Sequence, residues 1–435
     1  MLKHPVNVCT RDVFPGTTLT CLQTDKFKTG VFSIYLISKL SRESAASTAL
    51  LPLVLRRGTS ELPDMECIAA VLDELYGTRI EPLVRKKGEL HCIGFYADFP
   101  DDRYIPGGES LLEKVIELAG DMLLSPDTRD GLLREDYIES EKSNLIDDIR
   151  AAINDKRGYS IDSLISEMCH EEDYGVNRLG SEESACIITR ESLTAHYRHL
   201  LANSRIEAFY CGGAEPERVE SALRAALGGL PERDDIAIPE TRIVLYPAGD
   251  SPRRFTQAHD VSQGQLAVGF RMGKAMKTCP DYPAMMVFNA VYGWGETSKL
   301  FLNVRERLSL CYYAGSMMDT HKGVMIVSSG VGLSNLEAAL AEILAQLDNV
   351  KKGDVGDNEF LTAKQAVVTA LKLALDSPGG LLNRYFDSRI ASVPYDPIEL
   401  LDKVEAVTIG RVVDTASEIQ PDSIFFLTGK EGGCV

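Results

Sequence analysis

The segment GVFSIYLIS (residues 30–38) is a nearly continuous run of apolar and β-favouring residues, so it reads as a buried strand. The elements after it set the fold. A helix is expected from about Ser44 to Arg56, broken by Gly58-Thr59. DMECIAAVLDELYG (64–77) places Ile68, Val71, Leu72 and Leu75 on one helical face, and Gly77 suits a left-handed C-cap. ELHCIGFYADF (89–99) reads as a strand and LLEKVIELAGDML (111–123) as a helix. A long polar helix is expected over 134–153 and another over 191–202, before the strand and turn IEAFYCGG (206–213).

The same order then restarts. QLAVGFRM (265–272) answers 30–38, and DYPAMMVFNAVYG (281–293) answers 44–56, with Pro283 suited to a first helical turn. SKLFLNVRERL (298–308) answers 64–75, and GVMIVSSGV (323–331) answers 89–99. SNLEAALAEILAQL (334–347) answers 111–123 and opens with an expected capping box, Ser334 to Glu337. NEFLTAKQAVVTALKLAL (358–375) answers 134–153, and SIFFLTG (423–429) answers 206–213. Thr189 stands four residues before Leu193, as Thr408 does before Val412. Between the two series, Gly228, Gly229, Pro231, Pro239, Pro247 and Pro252 lie among charged residues and read as a linker. The expected fold is α+β, a duplication of a unit of about 200 residues. The expected domains are 1–227 and 256–435, joined by 228–255, each a mostly antiparallel sheet with helices on one face.

The chain has 435 residues, 44% of them hydrophobic and 25% charged, with a formal net charge of -18. A Lys/Arg excess is what phosphate backbones and anionic lipid surfaces require, so neither nucleic acid nor a membrane is an expected partner. MLKHPVNVCTRDVFPG (1–16) lacks the apolar core of a signal peptide, and no stretch approaches the ~20 apolar residues of a spanning helix. Ten cysteines are scattered without a C-x-x-C pair. They are expected as reduced thiols of a cytoplasmic protein.

Several segments invite a functional reading and support a bland one better. His196 and His199 lie three apart on a helix with no suitably placed Glu or Cys, the pattern of a solvated polar face. CHEED (169–173) reads as a loop whose neighbouring side chains diverge. GWGETSK (293–299) lacks the ending of a phosphate loop and comes after a helix, so it reads as a turn between helices. DSPGG (376–380) reads as a helix stop and bend. Glu135, Asp136, Glu139, Glu141, Asp147 and Asp148 read as a solvated helix face.

The two-unit layout and NVRERLSLCYY (303–313) resemble the insulinase/pitrilysin family of zinc metalloproteases over nearly the whole chain. In that family H-x-x-E-H followed by Gly-Thr carries the zinc: two His bind the metal, and the Glu is the general base. In STALLPLVLRRGTSELP (47–63), counting back from Gly58-Thr59, Ala49, Pro52 and Leu53 occupy those positions. None can ligate zinc or take a proton. Pro52 also removes a backbone donor, so a kink or a late helix start is expected. Glu141 resembles a family glutamate, and Asp148 falls at the last ligand position. The resemblance therefore implies a zinc-less chain, with no cofactor and no catalytic residue of its own.

The second half keeps more. Val304, Arg305, Glu306, Leu310 and Tyr312 match the family pattern V-R-E-x-x-G-L-x-Y, with Ser309 where Gly is usual. By the resemblance, Arg305 and Tyr312 hold the substrate backbone and stabilise the oxyanion, and the two domains enclose a chamber. The segment 141–180 is similar to a zinc-less bacterial branch. The implied function is a non-catalytic subunit of a two-chain processing peptidase, inactive alone and paired with a zinc-bearing homologue. The alternative is a homodimeric scaffold that binds extended peptides or a protein and cuts nothing.

Overall fold

The computed structural model describes residues 5–393 and 396–429. The chain forms two compact units. The first comprises residues 1–150, 176–240 and 375–386, and the second 151–175, 241–374 and 387–435.

Unit 1 contains the strands β1 (Asn7–Phe14), β2 (Thr17–Gln23), β3 (Thr29–Lys39), β4 (Arg79–Lys87) and β5 (Leu90–Pro100). A two-residue hairpin, β6 (Thr128–Arg129) and β7 (Leu132–Leu133), precedes β8 (Arg205–Gly212). Its helices are α1 (Ala45–Leu55), α2 (Met65–Glu74), α3 (Leu111–Leu124), α4 (Glu135–Ala151), α6 (Glu182–Cys186), α7 (Arg190–Asn203) and α8 (Pro216–Ala226), while α5 (Lys156–Met168) belongs to unit 2. The main sheet has the order β1-β2-β8-β3-β5-β4. Only the β2–β8 pairing is parallel. Phe32, Ile34 and Leu36 face the core built with α1, α3 and α7, as the two-residue period of a strand requires.

Unit 2 contains β9 (Arg253–His259), β10 (Gly264–Arg271), α9 (Tyr282–Tyr292), a π-helix (Leu300–Arg307), β11 (Cys311–Asp319), β12 (Val324–Val331), α10 (Leu336–Lys351) and α11 (Asp357–Ala374). Then come α12 (Pro378–Ile390), whose residues up to Phe386 belong to unit 1, and α13 (Glu399–Glu405), α14 (Ile409–Ser417) and β13 (Gln420–Gly429) of unit 2. Its sheet has the order β11-β12-β10-β13-β9, with β13–β9 the one parallel pair. Strand for strand this repeats β4-β5-β3-β8-β2, with the parallel pair in the same place. The matching caps are also present: Thr189 accepts a hydrogen bond from the Ser192 amide, and Thr408 from the Arg411 amide.

The two units differ from the sequence-based division in one respect. Residues 151–175, expected in the first half, pack within unit 2, and residues 375–386, expected in the second, pack within unit 1. Each exchanged segment lies on the sheet face opposite the main helical layer. In unit 2, Leu164, Met168, Cys169 and Tyr174 pack on Ala267, Ile326, Phe425 and Leu427. Gly269 makes this approach possible, because a Cβ there would stand 2.4 Å from the Met168 sulfur. In unit 1, Phe386 stacks on Tyr35 with ring centroids 4.3 Å apart and meets Phe209 edge-on. Each sheet therefore carries a second, single-helix layer beyond the expected one.

Smaller departures have local causes. Ser334 lies in a 3-10 turn before α10, and Glu337 pairs with Arg254 at 2.6 Å, so the expected capping box does not form. The linker ends in β9, which begins at Arg253, and its irregular part is held by backbone contacts such as the Gly273 amide on the Leu245 carbonyl. Helix α1 neither starts late nor stops at Pro52.

Candidate functional site

Helix α1 carries the segment that occupies the zinc-motif positions. Ala49 is fully buried, Pro52 is buried and Leu53 is partly exposed. Their side chains contribute packing, with Ala49 in the unit 1 core. Gly58 closes the turn after the helix, where a Cβ would stand 2.6 Å from the Pro63 carbonyl oxygen. Glu141 on α4 is held by Arg57 at 2.9 Å, and Asp148 is exposed. Among the described residues no group of three or more His, Cys, Asp or Glu is placed to hold a metal ion. His196 is instead bonded through Nε2 to the Thr48 hydroxyl at 2.8 Å, and His199 meets the Asn203 amide. Burial holds the His196 imidazole down at about 4.

The Arg/Tyr segment is assembled differently. Residues 300–307 form a π-helix, a rare geometry that recurs at functional sites. It ends at Ser309, whose backbone is left-handed with φ +50°. The Ser309 amide returns to the Arg305 carbonyl at 3.0 Å, and the Leu310 amide to the Val304 carbonyl at 3.0 Å. This conformation favours glycine and accounts for Gly in the family pattern.

Strand β11 then begins with a bulge. Cys311 pairs with Val331 and Tyr313 with Gly330, which leaves Tyr312 as the extra residue. The bulge turns Tyr312 outward, 70% exposed. Tyr313 points the other way. Its hydroxyl donates to Gln265 at 2.6 Å, Arg157 stacks on its ring at 4.7 Å, and burial pushes the phenol up to about 12.

Arg305 and Tyr312 thereby line one cavity of about 430 Å³, together with Glu306, Ser309, Leu310, Cys311, Gly332 and Asn335. Arg305 stacks on Phe301 at 4.6 Å and stands 3.6 Å from the Glu306 carboxylate. An exposed pair of this kind contributes little. The cavity offers a guanidinium, a phenol and an amide at one surface, a set that binds anionic or carbonyl oxygen. The sequence pattern pointed to Arg305 and Tyr312. It did not point to Asn335 or Gly332, which reach the cavity only because β12 runs beside β11.

The loop CHEED also has a defined place. Glu172 accepts hydrogen bonds from Arg271 and lies 2.6 Å from the Lys322 ammonium, and Asp422 is 2.8 Å from the other side of the Arg271 guanidinium. All four groups are buried. Burial alone would raise the two carboxyls. The hydrogen bonds from Arg271, with Lys322 on Glu172 and Ser423 on Asp422, outweigh it and hold both below their ordinary values.

The family profile described as "Peptidase M16 inactive domain" matches residues 188–367. A probable inactive metalloprotease of Bacillus subtilis, YmfF, is 31% identical over 417 residues, covering 96% of this chain and 97% of that protein. An uncharacterized zinc protease of Mycobacterium tuberculosis is 23% identical over 69% of this chain and 68% of its own length. The crystal structure of a conserved protein from Enterococcus faecalis matches with a TM-score of 0.89 at 24% identity, covering 98% of this chain and 100% of that one. The chain belongs to the M16 peptidase family, as an inactive metalloprotease homologue. Among the described residues no helix is long and apolar enough to cross a membrane.

Proposed function

We propose that this chain is the non-catalytic subunit of a two-chain zinc processing peptidase, in which Arg305 and Tyr312 hold an extended peptide for a zinc-bearing homologue. The observation that carries the reading is the contrast between the two family sites. Where the metal motif would stand, α1 offers Ala49, Pro52 and Leu53, which have no donor atom in the side chain. Where the Arg/Tyr pair stands, the π-helix, the left-handed Ser309 and the β11 bulge present both side chains to one cavity. A chain with no use for peptides has no evident need for this costly local geometry. Relatives named as zinc proteases supply a chemical class for the partner.

The test is reconstitution. The purified chain is mixed with a homologue that carries H-x-x-E-H, the complex is isolated, and turnover of a fluorogenic peptide is compared with that of each chain alone. A complex that cleaves faster than the zinc-bearing chain alone supports the reading. A chain that forms only homodimers, with no effect on any zinc-bearing homologue, favours a peptide-binding scaffold.

A further inference from the structure

We infer that the Arg305 cavity receives the free α-carboxylate at the C-terminal end of a peptide. The inference rests on the reading that this cavity holds peptides, and it specifies which part of the peptide enters.

Arg305 has a surplus of donors. A guanidinium carries five N–H donors in a planar fork. In unit 2, Arg253, Arg254, Arg271 and Arg411 direct theirs at carboxylates: Asp422, Glu337, Glu172 and Asp281. The Arg305 side chain makes no hydrogen bond with any described residue. Its neighbours are the Phe301 ring below it and the Glu306 carboxylate, 3.6 Å from Nε. That leaves the Nη groups without a hydrogen-bond partner among the described residues, on a side chain that lines the cavity. The Tyr312 hydroxyl is likewise unengaged among the described residues. Asn335 receives the Ser334 hydroxyl on its carbonyl oxygen, which leaves its amide nitrogen as a donor. The chain has 64 acidic and 46 basic side chains, so an arginine whose side chain hydrogen-bonds no carboxylate among the described residues stands out.

Charge and shape then select the ligand. A carbonyl in the middle of a peptide brings one oxygen and no charge. A terminal carboxylate brings two oxygens and a negative charge, and its plane matches the guanidinium fork. Such charge-assisted pairs are roughly twice as strong as neutral ones. The volume of about 430 Å³ falls in the size class of small-ligand clefts and suits the end of a chain. Leu310, Cys311 and the exposed Tyr312 ring give a terminal side chain an apolar wall. Capture of a chain terminus together with apolar side-chain contact is an established mode of peptide recognition.

The experiment uses the full chain and a pool of random decapeptides, synthesised once as free acids and once as C-terminal amides. Each pool is passed over the immobilised chain, and the retained peptides are quantified by mass spectrometry. Free acids should be retained at least tenfold over amides, with apolar last residues enriched. The preference should fall as salt is raised. Arg305→Ala should abolish it and Arg305→Lys should retain part of it, with circular dichroism confirming that both variants are folded. Equal retention of acids and amides, lost together in Arg305→Ala, would overturn the inference while leaving a peptide-holding cavity intact. An acid preference unchanged in Arg305→Ala would place carboxylate capture elsewhere and also overturn it. Retention of neither pool would overturn both the inference and the reading beneath it.

Discussion

Glu172 and Arg271 meet at 2.6 Å in the interior of unit 2, and that contact fastens the loop after α5 to the central strand β10. Removing one partner of a buried pair leaves the other charge without compensation, at a cost of about 3–5 kcal/mol. Glu172→Ala is therefore expected to destabilise the chain by about that amount, and Glu172→Gln by less. Urea denaturation measures the loss. Hydrogen exchange should rise first over 156–168, while α1 keeps its protection.

Arg305 and Tyr312 are expected to matter for turnover and not for folding. In a reconstituted complex, Arg305→Ala or Tyr312→Phe should lower peptide cleavage by about 10²-fold, as misplacement of a bound substrate does. Complex formation, monitored by size-exclusion chromatography, should be unchanged. Unaltered turnover in both variants would reduce the family pattern to a structural feature.

Ser309 holds a left-handed backbone at φ +50°. A side chain in that region costs roughly 1–2 kcal/mol, partly offset by the greater unfolded-state entropy of glycine, roughly 0.5–1 kcal/mol. Ser309→Gly should stabilise the chain by on the order of 0.5–1 kcal/mol. Thermal melting of the variant checks the sign.

Two histidines shielded from solvent make unit 1 acid-sensitive. His91 on β5 is almost fully buried, and among the described residues its Nε2 has no hydrogen-bond partner; burial depresses it to about 3, as burial depresses His196 to about 4. Both values lie below the ordinary 6.5. The unfolded chain therefore binds more protons as pH falls from about 6.5, and stability drops until the folded groups also protonate, near 4 for His196 and 3 for His91. At pH 5 the loss is on the order of 2 kcal/mol for His91 and less for the partly exposed His196. The urea midpoint should decline over this window, and His91→Gln should flatten the decline. An equal slope in the variant would assign the acid sensitivity elsewhere.

The positions that would carry a metal motif hold side chains without donor atoms, so the purified chain is expected to contain no stoichiometric zinc after dialysis. Elemental analysis decides this. About one tightly bound zinc per chain would require a ligand set other than α1.

Much of this protein was legible in its sequence because the signals are local. The apolar runs at 30–38 and 265–272 became the central strands β3 and β10, since a strand buried on both faces shows no alternation to obscure it. Thr189 and Thr408, which the sequence places at matching positions, cap their helices, and a cap involves residues only three apart. The edge strand β4 was not apparent, because RIEPLVRKK carries charges and Pro82, which an edge tolerates. The significance of Ala49, Pro52 and Leu53, which lack metal donors, and the candidacy of Arg305 and Tyr312 came from the resemblance to the family's motifs at those positions.

Features left open by the sequence depended on distant partners. Helix α5 is amphipathic wherever it lies, and only the notch at Gly269 and the charges of Arg271, Lys322 and Asp422 direct it to the second sheet. The side chains at Glu337 and His196 could have capped a helix or faced solvent; Arg254 and Thr48, remote in sequence, took them instead. The cavity likewise needed tertiary structure. Spacing put Arg305 and Tyr312 seven residues apart, but the π-helix, a left-handed Ser309 and a bulge against β12 were required to open both onto one space with Asn335. Local propensity fixes which element a residue joins, whereas the direction a side chain faces is set by the packing and hydrogen bonds of the elements beside it.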